Sequence, residues 1–83
     1  MRSFSDATGA EWVATAVEED TPRHHGRWYL TFRPAQSDVD YPLPEVRWQN
    51  RQTAERTILT MSEAELRRRL RIARGRRPSA AAV

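Results

Sequence analysis

The stretch T-P-R-H-H-G-R-W-Y-L, Thr21 to Leu30, gathers both histidines of the chain, two arginines and the start of an aromatic run. Two adjacent histidines with Glu19 and Asp20 close by raise the question of a metal site. Neighbouring side chains on a strand leave opposite faces, so His24 and His25 cannot both reach one ion from regular extended backbone. A site would also need further ligands at suitable spacing. The pattern reads instead as the lead-in to a strand, with Pro22 and Gly26 bracketing a turn and His24 and His25 at its solvated tip. No other nucleophilic or phosphate-binding arrangement stands out. There is no cysteine, no lysine and no G-x-S-x-G turn, and three isolated glycines cannot build a phosphate loop. Acidic residues cluster only in surface runs such as Glu18-Glu19-Asp20. The expectation is a protein without catalysis, cofactor, obligatory metal or small-molecule substrate.

The second group of chemically active side chains is the arginine run near the C-terminus. Arg67, Arg68, Arg69, Arg71 and Arg74 crowd one predicted helix, and Arg76 and Arg77 follow it. On a helical projection Arg67, Arg71 and Arg74 share a stripe beside the buried face, Arg68 lies beyond them, and Arg69 sits near the opposite edge. Ile72 projects outward between Arg68 and Arg69. An arginine field with an apolar residue in it suits a protein-docking face, because arginine is enriched at interfaces. The same stripe could track phosphates. Against that, Glu63 and Glu65 precede Arg67 and Arg69 by four residues and pair with them locally. The candidate partner-binding set is therefore Arg67, Arg68, Arg71, Ile72, Arg74, Arg76 and Arg77. The expected counter-surface is a larger protein complex, with anionic lipid contact at a membrane rim. Nucleic acid is the alternative.

All fourteen basic residues are arginine, which looks like the codon bias of a GC-rich genome, so distribution is more telling than abundance. Residues 1–45 hold four arginines against eight acids, a net of −4, and residues 46–83 hold ten against three, a net of +7. That split orients the approach to a partner. No apolar run approaches the roughly 20 residues of a membrane span, and the start lacks the apolar stretch of a signal peptide. A cytoplasmic protein is expected, able to sit peripherally on the cytoplasmic side of a membrane complex.

The elements that must carry these residues are legible from pattern. Asp6-Ala7-Thr8-Gly9 is a turn, with Phe4 before it and Trp12 to Val17 after it forming a hairpin. Arg27 to Arg33 alternates, Trp28, Leu30 and Phe32 facing one way, and Pro34 ends the strand. Ala35 to Pro44 reads as a loop with an extended Tyr41–Pro44 end, and Glu45 to Trp48 as a short edge strand. Thr53 to Thr60 predicts a short helix. Ser62 and Glu65 form a capping box for a second helix that runs to Arg74 and stops at Gly75. The predicted core is Trp12, Trp28, Leu30, Phe32, Val46, Trp48, Ile58, Leu59, Leu66 and Leu70. The expected fold is α+β, a small three- to four-stranded antiparallel sheet packed against one or two C-terminal helices. Residues 1–75 would be a single compact domain and residues 76–83 a tail ordered only when a partner holds it.

The opening R-x-F-x-D-x-x-G-x-x-W-x-A, with W-Y-L-T-F and M-S-x-x-E-L-R-R-x-L, spans most of residues 2–73. It resembles short bacterial proteins of GC-rich genomes. More distantly, it is similar to the small membrane-extrinsic subunits that brace double-ring photosynthetic reaction-centre–antenna complexes. That resemblance implies an accessory, pigment-free role beside a membrane assembly and transfers no residue roles.

Overall fold

Period-two alternation in the first half and helical spacing in the second divide the molecule into two layers. A computed structural model describes the backbone of residues 1–21 and 24–75, and the side chains of all of these except 20, 21, 24 and 25. Four strands, β1 (Arg2–Ser5), β2 (Glu11–Thr21), β3 (His24–Pro34) and β4 (Tyr41–Trp48), precede two helices, α1 (Arg51–Thr60) and α2 (Glu63–Arg74). The strands form an antiparallel meander in the order β1-β2-β3-β4. The expected α+β fold is the one observed.

Register places Phe4, Trp12, Ala14, Leu30, Phe32 and Leu43 on the helix-facing side of the sheet, where Ile58, Leu66, Leu70 and Ala73 close over them. Edge-to-face contacts of Phe4 with Phe32 (5.9 Å) and Trp12 with Tyr41 (5.5 Å) tie the strands together within that layer. α1 packs on β2, β3 and β4, and α2 reaches both sheet edges through β1 and β4. The other sheet face, which includes Val13, Thr15, Val17, Tyr29 and Arg33, carries no helix.

Several expectations are corrected in detail. Leu59 is 57% exposed and not part of the core. It neighbours the buried Ile58, and one helical step turns it outward. Trp28 is half-buried, and its ring lies 6.0 Å from the Arg51 guanidinium at the start of α1 rather than in the cluster around Leu66 and Leu70. The expected edge strand is present but longer, Tyr41–Trp48, and takes in the Tyr41–Pro44 segment read as the extended end of a loop. Its register skips between Leu43 and Arg47, opposite the adjacent Tyr29 and Leu30, so Pro44 falls in the irregular segment. A bulge is where a residue without an N–H is tolerated. α1 begins two residues earlier than Thr53 because Asn50 caps it, its Oδ1 accepting from Thr53 N at 2.8 Å.

The histidine stretch also differs from expectation. His24 and His25 lie within β3, with Thr21 opposite His24, so they are not the tip of a turn bracketed by Pro22 and Gly26. The register shift between Glu19 and Thr21 falls opposite Gly26, whose φ of 78° is the left-handed value a glycine bulge uses. The bulge absorbs the irregularity and lets the strand continue. The side chains of both histidines, and residues 22–23, lie outside the described residues.

Candidate docking surface on the second helix

The arginines of α2 are distributed by their neighbours into distinct jobs. Ser62 accepts from Glu65 N at 3.1 Å and so starts the helix as expected. The Glu65 carboxylate, however, turns forward to Arg68 and Arg69 instead of back to the cap, so the capping box is only half made. The hydrogen bond from Arg68 lowers the Glu65 pKa and raises that of Arg68. Arg69 Nε approaches Glu65 Oε2 at 2.8 Å as an ion pair without hydrogen-bond alignment. Glu63 and Glu65 follow the macrodipole preference for acids in the first turn, and Arg71 and Arg74 for bases in the last.

Arg67 and Arg74 face the sheet edge. Arg67 Nε donates to Ser5 O at 2.8 Å, and its guanidinium is 3.9 Å from Glu63. Arg74 lies 5.3 Å over the Trp12 ring and 3.8 Å from Asp6 Oδ2. Arg71, between them on the same flank, is exposed and makes no hydrogen bond or ion pair among the described residues. Ile72 is 41% exposed on the outer face, near Arg68. The structure thus brings Arg67, Arg71 and Arg74 together on one flank and Arg68 and Ile72 on the outward face. Arg76 and Arg77 lie outside the described residues.

Asp6 is the residue the sequence reading passed over as a turn former. Oδ1 accepts from Thr8 N (2.8 Å), Thr8 Oγ1 (2.6 Å) and Ala10 N (3.0 Å), and Oδ2 accepts from Trp12 Nε1 at 2.9 Å. The Thr8 hydroxyl leads in holding its pKa far below the usual carboxylate range, with Trp12 and the two backbone N–H groups adding to it against the opposing effect of burial. The signal was present in the D-x-T-x-A-x-W spacing, but only the fold shows that Trp12 donates to it. Arg2 was also missed. Its Nη1 donates to Leu59 O (2.9 Å) and Met61 O (3.1 Å), meeting carbonyls at the C-terminus of α1 that the helix cannot satisfy itself.

Between the Asp6 turn and α2 lies a cleft of about 190 Å³, lined by Asp6, Thr8, Leu70 and the three flank arginines. A second hollow of about 380 Å³ lies on the helix-free side, between Val13, Thr15 and Arg33 and the loop through Asp38. Among the described residues no group of three or more His, Cys, Asp or Glu is gathered as a metal site, and no helix is long and apolar enough to cross a membrane. No protein family, curated protein or solved structure matches the chain.

Proposed function

We propose that this protein is a non-enzymatic accessory subunit that docks on a larger protein assembly through the outward face and open flank of α2. The observation that carries this reading is the state of that face. Arg71 has no partner among the described residues, and an exposed Ile72 stands among arginines that are otherwise held in place. An apolar residue beside guanidinium groups held on Glu65, with an open arginine on the adjoining flank, is a protein-docking composition. The sequence resemblance suggests the assembly, a membrane-bound photosynthetic reaction-centre–antenna complex approached from the cytoplasmic side, with the last arginines against anionic headgroups.

Nucleic acid is the second reading, favoured by the stripe of Arg67, Arg71 and Arg74. Phosphate tracking needs several free cations in a row. Here Arg68 and Arg69 are engaged with Glu65, so the open cations are gathered on one flank and do not run along the helix, which favours the protein partner.

Affinity capture from native membrane and soluble fractions tests the proposal. The expected result is recovery of a defined multisubunit assembly that is lost with Arg71→Glu. Nuclease-sensitive capture would establish the second reading, and capture of nothing by the intact chain would overturn both.

A further inference from the structure

The cleft between the Asp6 turn and α2 is too small for a ligand of drug or nucleotide size, which occupies roughly 300–1,000 Å³, yet it is basic. Its wall holds Arg67, Arg71 and Arg74 against the carboxylate of Asp6, which accepts four hydrogen bonds and lies 3.8 Å from Arg74, and Glu63 stands 3.9 Å from Arg67, so the arginines outnumber the acids by one. Leu70 lies along it as an apolar wall for a short methylene stem. We infer that this cleft is a carboxylate-binding notch that takes an Asp or Glu side chain of an acidic segment on the partner protein. The inference rests on the docking reading and names the chemistry its counter-surface must present.

The geometry favours a carboxylate on protein over a phosphodiester. Guanidinium groups recognise planar carboxylates through paired hydrogen bonds. Two of the three arginines are preset: Arg67 by Ser5 O, and Arg74 by the Trp12 ring. Preset donors lose less freedom when a ligand arrives. Arg71 is the third, and it has donors to spare. Charge is concentrated in one notch rather than spaced along the helix, because Arg68 and Arg69 are committed to Glu65. The exposed Ile72 adds an apolar contact that a protein surface can use.

Trp12 is a built-in reporter, since its indole N–H bonds Asp6 while Arg74 covers its ring. The purified full chain is titrated with hexaglutamate at low salt, followed by calorimetry and by the indole N–H resonances of the three tryptophans. Saturable binding is expected, with the Trp12 resonance moving and those of Trp28 and Trp48 still. Arg71→Ala should weaken binding about tenfold, the low end for a charge-assisted hydrogen bond. Arg56→Ala, an exposed arginine on α1, should leave it unchanged. Equal losses in the two variants, or binding that leaves Trp12 unmoved, would overturn the notch. So would a short DNA duplex that binds more tightly than hexaglutamate and moves Trp12. Failure here leaves capture of an assembly free to succeed by another contact, so the two readings fall separately.

Discussion

At the scale of residues, Asp6 shows how one charge is made useful by the donors around it. Four hydrogen bonds to its carboxylate lower its pKa from the ordinary 3.8 of an unfolded aspartate. A folded value below the unfolded one means stabilisation is complete above the unfolded value and drains away as pH falls toward the folded one. Acid titration of the melting temperature should therefore show a loss that begins near pH 4. Asp6→Asn should flatten that loss and melt lower at neutral pH, because its amide N–H₂ turns donors toward donors; an unchanged acid profile would assign the dependence elsewhere. Thr31 is the opposite case. It is 1% exposed in mid-sheet, and its Oγ1 has no hydrogen-bond partner. A buried hydroxyl without a partner costs about 1–3 kcal/mol, so the near-isosteric Thr31→Val should stabilise the fold by on the order of 1 kcal/mol. Denaturant melts decide it, and a destabilised variant would mean the hydroxyl is used.

At the scale of elements, the helical layer is attached to the strand layer by packing and by long-range contacts of three arginines, Arg2, Arg67 and Arg74. Leu70 is 2% exposed and sits in the cluster with Leu66, Leu30 and Phe32. Removing its three outer carbons should cost about 2–5 kcal/mol by the usual cavity and transfer terms. That is a large share of what an 83-residue chain has to lose, and a Leu70→Ala variant melting like the parent would contradict the packing described. Arg2 works more locally. α1 has no basic residue in its last turn, and Arg2 meets its terminal carbonyls from the sheet edge. Arg2→Gln should cost about 0.5–1 kcal/mol, measurable as a shift in the denaturant midpoint. Helix spacing and the Ser62 cap were readable in the sequence because they depend on neighbours three and four residues apart, whereas the Asn50 cap that starts α1 at Arg51 was not read. The contact between Arg2 and Leu59 could not be, because nothing local links residues so far apart.

At the scale of the whole molecule, the split of −4 and +7 along the chain is partly folded away. Arg47 approaches Glu19 at 3.3 Å and Arg74 approaches Asp6 at 3.8 Å, each joining a basic residue of the second half to an acid of the first. What remains for a partner is concentrated on α2, where Arg71 is exposed and makes no hydrogen bond or ion pair among the described residues. Reversing it with Arg71→Glu should weaken assembly more at low salt than at high, since the screening length falls from roughly 10 Å at 0.1 M to 3 Å at 1 M. The fold should be indifferent to that change, unlike Arg74→Glu, which would disturb the stack on Trp12 and is the less clean test. Equal binding by parent and Arg71→Glu across salt would place docking on another surface. The helix-free sheet face around Tyr29 and Arg33 would then be the next to examine.

What the sequence determined by itself was the set of elements and their inward faces. Alternation at Trp28, Leu30 and Phe32, the turn at Asp6 to Gly9, and the spacing of Leu66, Leu70 and Ala73 are short-range constraints, and the observed sheet and helices obey them. The arginine run was equally visible as a candidate surface. Tertiary structure decided which arginines are spoken for. Arg2, Arg67 and Arg74 are bound to groups 57, 62 and 68 positions away, and no periodicity encodes such partners. It also put His24 in a strand and Leu59 in solvent, through a glycine bulge and a helix rotation whose phase is set by what packs beneath. Local spacing selects the elements, because backbone hydrogen bonds and side-chain periods act over a few residues. Pairing of charges and closure of the cleft wait on the docking of layers, because both require residues from opposite ends of the chain to meet.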